Sequence, residues 1–245
     1  VIPFLRRLKV GQTERVEGVQ SHLKKAGTPT MGGTIILISV LVTCLFFVGR
    51  YPRIIPVLFL TLGFGIIGFL DDYLKVVLKR SDGLLPKQKL FCQLAVTTVF
   101  VVYLIFKDES GLTMVLPFTD YVLDIKWITV PLAYFAILGT DNGVNFTDGL
   151  DGLAVGVATI SSLTMLVIAM LVSENVVALM MAALAGGCIG FMPYNLNPAK
   201  IFMGDTGSTF LGFVLATVSI QGLFKFYTII SFAVPFLMLG LPLFD

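Results

Sequence analysis

Polar and apolar positions alternate along this chain in long blocks. Eight runs of mostly apolar residues, at 34–49, 54–70, 89–106, 127–140, 152–172, 175–192, 207–223 and 226–243, are separated by shorter polar segments. A helix needs about 20 apolar residues to cross a bilayer, and lipid offers the backbone no hydrogen-bond partners, so each run predicts a transmembrane α-helix. The run at 127–140 is short for a span, which predicts an extension in one direction. Gly63, Gly65 and Gly68 in the second run, and Gly186, Gly187 and Gly190 in the sixth, predict close helix–helix approach. The class expected is an all-α polytopic integral membrane protein, with residues 1–245 forming one transmembrane domain.

Composition agrees and removes the alternatives. The chain has 245 residues, 56% hydrophobic and only 13% charged, with mean hydropathy +0.93. A soluble domain carries roughly 25% charged residues. A net charge of +2 argues against nucleic acid as a partner. Cys44, Cys92 and Cys188 sit in apolar runs without metal or redox spacing, so they are expected in the core or facing lipid. His22, the single histidine, lies in a basic polar segment and reads as a surface residue.

If the eight runs are spans, the loops fall alternately on two sides. Segments 1–33, 71–88, 141–151 and 193–206 share one side, which holds most of the lysines and arginines and is therefore expected to be cytoplasmic. The same side gathers Asp71, Asp72, Asp141, Asp148, Asp151 and Asp205 at or near span ends. Asp108, Glu109, Asp120, Asp124 and Glu174 fall opposite and read as solvated loop charges.

Four constellations could carry chemistry. Asp71-Asp72 ends the second run, with Lys75 one turn on; the pair either marks where the helix leaves the membrane or handles a divalent cation or proton. In Asp141-Asn142-Gly143-Val144-Asn145-Phe146-Thr147-Asp148-Gly149-Leu150-Asp151-Gly152-Leu153, a helix would align Asp141, Asn145 and Asp148. The two Asp-Gly pairs would then bring backbone N–H groups near a ligand. Pro193 to Ser208 leads into the seventh run; Thr206 and Ser208 are suited to cap that helix, and the segment is either a plain helix cap or a site where the helix N-terminus attracts phosphate and Asp205, a hard oxygen donor, binds Mg²⁺. Lys24 to Gly33 either holds the first helix against anionic lipid head groups through its lysines or supplies Thr28, Thr30 and exposed backbone donors for a phosphate contact. Nucleotide P-loop, dinucleotide-binding, zinc-protease and serine-hydrolase motifs are absent from the sequence.

Taken in order, Lys24–Gly33, Asp71-Asp72, Asn145-Phe-Thr-Asp-Gly-Leu-Asp-Gly-Leu153 and Phe202-Met-Gly-Asp-Thr-Gly-Ser208 resemble the MraY family, the bacterial phospho-N-acetylmuramoyl-pentapeptide transferases. That family belongs to the wider group of polyprenyl-phosphate N-acetylhexosamine-1-phosphate transferases. The resemblance implies a ten-helix, usually dimeric enzyme of the bacterial inner membrane, of which this chain holds about eight helices, with a cytoplasmic cleft. It also implies further chain at both ends, including a final His-rich loop. The implied reaction is Mg²⁺-dependent transfer of phospho-MurNAc-pentapeptide from UDP-MurNAc-pentapeptide to undecaprenyl phosphate, giving lipid I and UMP. Asp71, Asp72 and Asp205 would be catalytic, with Asp205 binding Mg²⁺ and Asp148 a second candidate ligand. Lys24, Thr28, Thr30, Lys75, Lys87, Asn142, Asn145 and Asp148 would contact phosphates, sugar or the polar cleft, and Asp151, Gly152, Leu153, Asn195 and Phe202 would hold the uridine end.

A phosphate monoester loses its second proton at about pH 6, so the lipid phosphate is mostly dianionic at neutrality and leaves a general base little to remove. Asp71 and Asp72 are therefore expected to control metal, lysine and geometry, although a covalent aspartyl-phosphate stays open. Two other readings also stay open. One is a relative using UDP-N-acetylglucosamine. The other is a secondary transporter, against which the acids lie at one face and no internal repeat is visible.

Overall fold

A computed structural model describes residues 28–80, 82–107, 113–115, 122–124, 126–171 and 173–220. The helices are α1 (Gly33–Phe47), α2 (Ile55–Val76), α3 (Pro86–Lys107), α4 (Lys126–Thr147), α5 (Leu153–Leu171), α6 (Asn175–Asn195) and α7 (Gly204–Val218), with one 3-10 turn at Pro52–Ile54 ahead of α2. They match seven of the eight predicted runs, and the run at 226–243 lies outside the described residues. By length and composition, Pro52–Val76, Pro86–Phe106, Leu153–Leu171 and Asn175–Asn195 can each cross a membrane, whereas Gly33–Phe47 is shorter. Prolines open two of the helices: Pro56 sits in the first turn of α2, and Pro86 starts α3, positions where the missing N–H costs nothing.

Two boundaries differ usefully from expectation. The short fourth run extends past its apolar stretch to Thr147, so Asp141 and Asn145 are helical. α3 begins at Pro86, placing Lys89 inside its first turn. The polar segment between α3 and α4 also contains an antiparallel ribbon, β1 (Thr113–Val115) paired with β2 (Val122–Asp124), registering Thr113 with Asp124 and Val115 with Val122. No alternation long enough to predict these strands is present in the sequence.

α7 is the centre of the bundle. Every residue from Thr206 to Val218 is buried, and α1, α2 and α4 all pack on it. The close approaches are made by glycines. Gly33 of α1 lies against Gly207, and Gly68 of α2 lies against the Asp205 carbonyl and Thr206. At Gly212 an added Cβ would fall 2.5 Å from the Asp141 Cα of α4 and 2.9 Å from the Thr140 carbonyl. Phe213 then stacks on Phe64 of α2, ring centroids 4.3 Å apart, and meets Phe100 of α3 edge-on at 6.1 Å. Such pairs contribute about 0.5–1.5 kcal/mol beyond their buried area. Two of the α7 hydroxyls are satisfied inside the helix, Thr209 donating to the Asp205 carbonyl and Thr217 to that of Phe213.

The glycine expectation holds for part of its set. Gly63 approaches Val96, Gly65 approaches Leu37 and Gly187 approaches Ile36. Gly186 and Gly190 do not mediate close approach: among the described residues no atom outside their own helix lies within 4 Å of an added Cβ. Phe46, Phe59, Phe91, Phe106, Phe135 and Leu171 project from the bundle, as lipid-facing side chains should. Cys44 and Cys188 are buried, Cys92 is half-buried, and all three are free thiols.

Candidate active site

The last turns of α2, α4 and α6 and the first turns of α1, α3, α5 and α7 meet at one end of the bundle. Two of the four constellations are tied together there by backbone pairing between residues 29–33 and 202–203. Phe202 N–H donates to the Pro29 carbonyl at 2.8 Å, Gly32 N–H to Phe202 at 2.9 Å and Gly33 N–H to Met203 at 2.8 Å. The Gly32 and Gly33 donors expected for phosphate are thus consumed in holding α1 to the start of α7. Lys24 lies outside the described residues; Thr28 is half-buried and Thr30 buried.

Asp71 and Asp72 are adjacent in sequence but serve opposite walls. Both are buried, 2% and 4% exposed, so the pair is not a solvated exit marker. Asp72 reaches α7: its Oδ1 accepts from Asp205 N–H at 3.0 Å, and its Oδ2 accepts from Thr206 N–H at 2.8 Å and the Thr206 hydroxyl at 2.6 Å. Asp148 accepts from Gly204 N–H at 3.1 Å. Two carboxylates therefore satisfy the first N–H groups of α7, where the positive end of the helix dipole favours them.

This corrects the expectation of Thr206 and Ser208 as caps over an open phosphate site. Thr206 donates to Asp72, Ser208 donates back to the Gly204 carbonyl, and the helix start is already occupied by acid. Gly204 adopts φ +77°, and a Cβ there would lie 2.7 Å from Asp72 Oδ2 and 2.8 Å from Thr30 Oγ1, so only glycine fits beneath the cap.

Asp71 turns to the α2–α3 loop. Its Oδ1 accepts from Leu84 N–H at 2.6 Å, and its Oδ2 meets Lys75 Nζ at 2.9 Å and Lys89 Nζ at 3.5 Å. Gly83, at φ +56°, lets the loop close over it: a Cβ would strike Asp71 Oδ1 and stand 2.7 Å from the Lys75 Cε. Lys75 and Lys89 also pair with Asp205, Lys89 at 3.5 Å, so two ammonium groups are shared by two acids from different helices. Asn145 of α4 completes the Asp205 environment, donating to its carboxylate and to Ser208 Oγ at 2.7 Å.

The remaining predicted residues form a brace beside this cluster. Asp151 Oδ2 accepts from Ala199 N–H at 3.2 Å. Gly152 N–H donates to Asn195 Oδ1 at 3.2 Å, and Asn195 donates on to the Ile201 carbonyl at 3.0 Å. Gly152, at φ +78°, packs against Leu196, whereas among the described residues Gly149 makes no close approach, so there only the second Asp-Gly pair needs its glycine. Phe202 and Leu153 are half-buried along the brace. Asn142 turns away to the α3–α4 seam, donating to the Leu138 carbonyl at 2.7 Å and to Gln93 at 3.4 Å. Lys87 is exposed in the first turn of α3.

Lys89 is the site residue that sequence reasoning missed, because it was placed at the edge of a span. The signal was available: in a helix starting at Pro86, Lys89 and Gln93 are one turn apart on a common face. Asp141, expected on the cleft stripe with Asn145 and Asp148, is buried instead and accepts a hydrogen bond from Gln93.

Among the described residues, the cations in the cluster of Asp71, Asp72, Asp148 and Asp205 are Lys75 and Lys89. Burial, then the charges of Asp205 and Asp72, push the Asp148 carboxyl well above its ordinary range despite the Gly204 N–H. Four acids against two ammonium groups suit one added divalent cation. Among the described residues no three such side chains converge as a ready-made metal cage. Mg²⁺ is commonly held by one or two carboxylates together with substrate phosphates.

The class of protein to which this helical bundle, with its acids and lysines at one end, belongs is given by its relatives. The family model for glycosyl transferase family 4 matches residues 54–223, and signature 1 of the phospho-N-acetylmuramoyl-pentapeptide transferases matches residues 25–37. The phospho-N-acetylmuramoyl-pentapeptide transferase of Acetivibrio thermocellus is 47% identical over 221 residues, covering 90% of this chain and 67% of the relative. That of Bacillus subtilis is 45% identical over 225 residues, 90% of this chain and 69% of the relative. The chain belongs to the phospho-N-acetylmuramoyl-pentapeptide transferase family, the first of the readings the sequence left open.

Proposed function

We propose that the site transfers phospho-MurNAc-pentapeptide from UDP-MurNAc-pentapeptide to undecaprenyl phosphate by direct displacement. An oxygen of the lipid phosphate bonds to the sugar-bearing phosphorus, the bond from that phosphorus to the UMP oxygen breaks, and lipid I and UMP result. The observation that carries this reading is the pair of ammonium groups held between Asp71 and Asp205. Two anionic phosphates must be brought together, and fixed cations in a site withdrawn from water counter that repulsion without reorganising during reaction.

Asp71 supports the reading through its contacts. Both its oxygens are engaged, Oδ1 by the Leu84 N–H and Oδ2 by the two lysines. A carboxylate so held serves to aim Lys75 and Lys89, and it would have to shed its partners to attack phosphorus. Asp72 holds the start of α7, and with it Asp205, in register. Asp205 and Asp148 would hold Mg²⁺, whose contribution when bound is to neutralise charge on the phosphates. Asn145 orients Asp205, and the Asp151–Gly152–Asn195 brace shapes the adjoining wall. The excess of basic residues in the loops on this side supports a cytoplasmic placement, where the nucleotide carrier would arrive.

The test is UMP release by the purified full-length protein. UMP is expected only when UDP-MurNAc-pentapeptide, undecaprenyl phosphate and Mg²⁺ are all present. Comparable release from UDP-N-acetylglucosamine, or release independent of the lipid phosphate, would contradict the reading.

A further inference from the structure

One turn deeper than Lys89, a buried polar group lies outside the chemistry described so far. Gln93 and Asp141 are each 1% exposed. Gln93 Nε2 donates to Asp141 Oδ2, and Gln93 Oε1 accepts from Asn142 Nδ2 at 3.4 Å, so both ends of the amide are committed to α4. Asn142 is itself fixed by the Leu138 carbonyl at 2.7 Å. Among the described residues the other Asp141 oxygen has no hydrogen-bond partner, and the charged groups that act on that carboxyl are Lys89 and Asp205. The Asp141 backbone is meanwhile pressed on Gly212 of α7, so the acid cannot withdraw.

Lys89 and Gln93 stand one turn apart on one face of α3, and Asp141 and Asn145 stand one turn apart on α4. The two helices thus meet in two tiers. In the upper tier Lys89 and Asn145 both reach Asp205. In the lower tier Gln93 clasps Asp141 and Asn142. α3 is otherwise a loosely embedded helix, with Leu90, Phe91 and Leu94 exposed beside these residues, and little apolar packing fixes its rotation at this level.

We infer that Gln93 and Asp141 are positioning residues that act through Lys89. The clasp between the Gln93 amide and the Asp141 carboxyl sets the rotation of α3, and it does so one turn below the ammonium. That rotation holds Lys89 between Asp71 and Asp205. The inference rests on the function proposed above for its kinetic consequence, but its structural core stands apart from any activity.

Two measurements test it. In the first, lysines of the full-length protein are acylated with limiting acetic anhydride and read by peptide mass spectrometry, with exposed Lys87 as internal reference. Asp141→Asn and Gln93→Leu are each expected to raise the Lys89 rate relative to Lys87 by about threefold or more, because the ammonium is no longer held. An unchanged ratio in both variants overturns the inference, whether or not the protein turns over. In the second, Asp141→Asn is made alone and on Lys89→Met. A group displaced by about 1 Å can cost up to about 100-fold in rate. Asp141→Asn is therefore expected to lower kcat by about tenfold or more, with KM for the nucleotide within about twofold, and to change kcat less than about twofold on Lys89→Met. An equal fall on both backgrounds, or none on either, overturns action through Lys89. The double variant Gln93→Glu with Asp141→Asn exchanges amide and carboxylate; it should recover kcat relative to either single change. Failure of the parent to release UMP would instead overturn the proposed function and leave the acylation result standing.

Discussion

α7 and α3 place neighbouring charges by different means. α7 is buried all round and sealed by backbone contact, with Gly33, Gly68 and its own Gly212 bringing three helices against it. α3 exposes much of its length and enters the site through side chains: Lys89 to the acids, Gln93 to α4, and Phe100 to Phe213. Asp205 is therefore set by the fold itself, whereas Lys89 is set by a few replaceable hydrogen bonds. Changes around α7 should destroy structure, and changes on α3 should alter rate in a protein that still folds.

The largest effect is expected at the α7 crossings. Gly68→Val places a branched side chain on the Asp205 carbonyl and Thr206, and no flexible neighbour can yield. Loss of more than about 4 kcal/mol, seen as absence of monodisperse protein on size-exclusion chromatography, is expected. A well-folded Gly68→Val protein with normal melting would break the contrast.

Next comes Asp72→Ala, which removes three hydrogen bonds at the start of α7. With charge-assisted bonds contributing about 1.5–3 kcal/mol each but offset by desolvation, a net loss of about 2–4 kcal/mol is expected together with loss of turnover. Thermal melting in detergent and UMP release read the two effects separately. Lys89→Met should leave melting nearly unchanged and cut kcat on the order of 100-fold, as expected for a fixed charge at the reacting phosphates. Lys87→Met should cost less than about threefold, the size of a peripheral contact. Equal losses at the two lysines would support the substrate contact that the family resemblance implied for Lys87. The smallest effect belongs to Gly186→Ala: with open space around it, the gain in helix propensity of up to about 1 kcal/mol should leave melting equal or slightly raised.

The helices were legible because lipid enforces long apolar runs, and seven of them stand where the hydropathy pattern placed them. The acids were legible as a set, since isolated charges at span ends demand an explanation. Their division of labour was not. Asp71 and Asp72 look interchangeable in sequence, yet residues 100° apart on a helix face different neighbours, here the Leu84 loop and the start of α7. The capping role of Asp72 depends on a partner 134 positions away. Thr206 and Ser208 matched local capping chemistry, and a distant carboxylate displaced them from it. Gly186 and Gly190 could not be told from Gly187 by composition, because helix rotation decides which glycine meets Ile36. Asp141 read as a member of the cleft stripe, and the actual packing of α4 on Gly212 turned it toward Gln93 instead.

The central claim is that the acids and lysines form a fixed electrostatic frame for direct attack of one phosphate on another, with Asp71 held by Leu84, Lys75 and Lys89 and not acting as a nucleophile. The most direct measurement is the configuration at phosphorus in lipid I made from a nucleotide substrate with chiral, isotopically labelled phosphate. A single displacement predicts inversion. Retention would show two successive displacements through a covalent enzyme intermediate and would contradict the account.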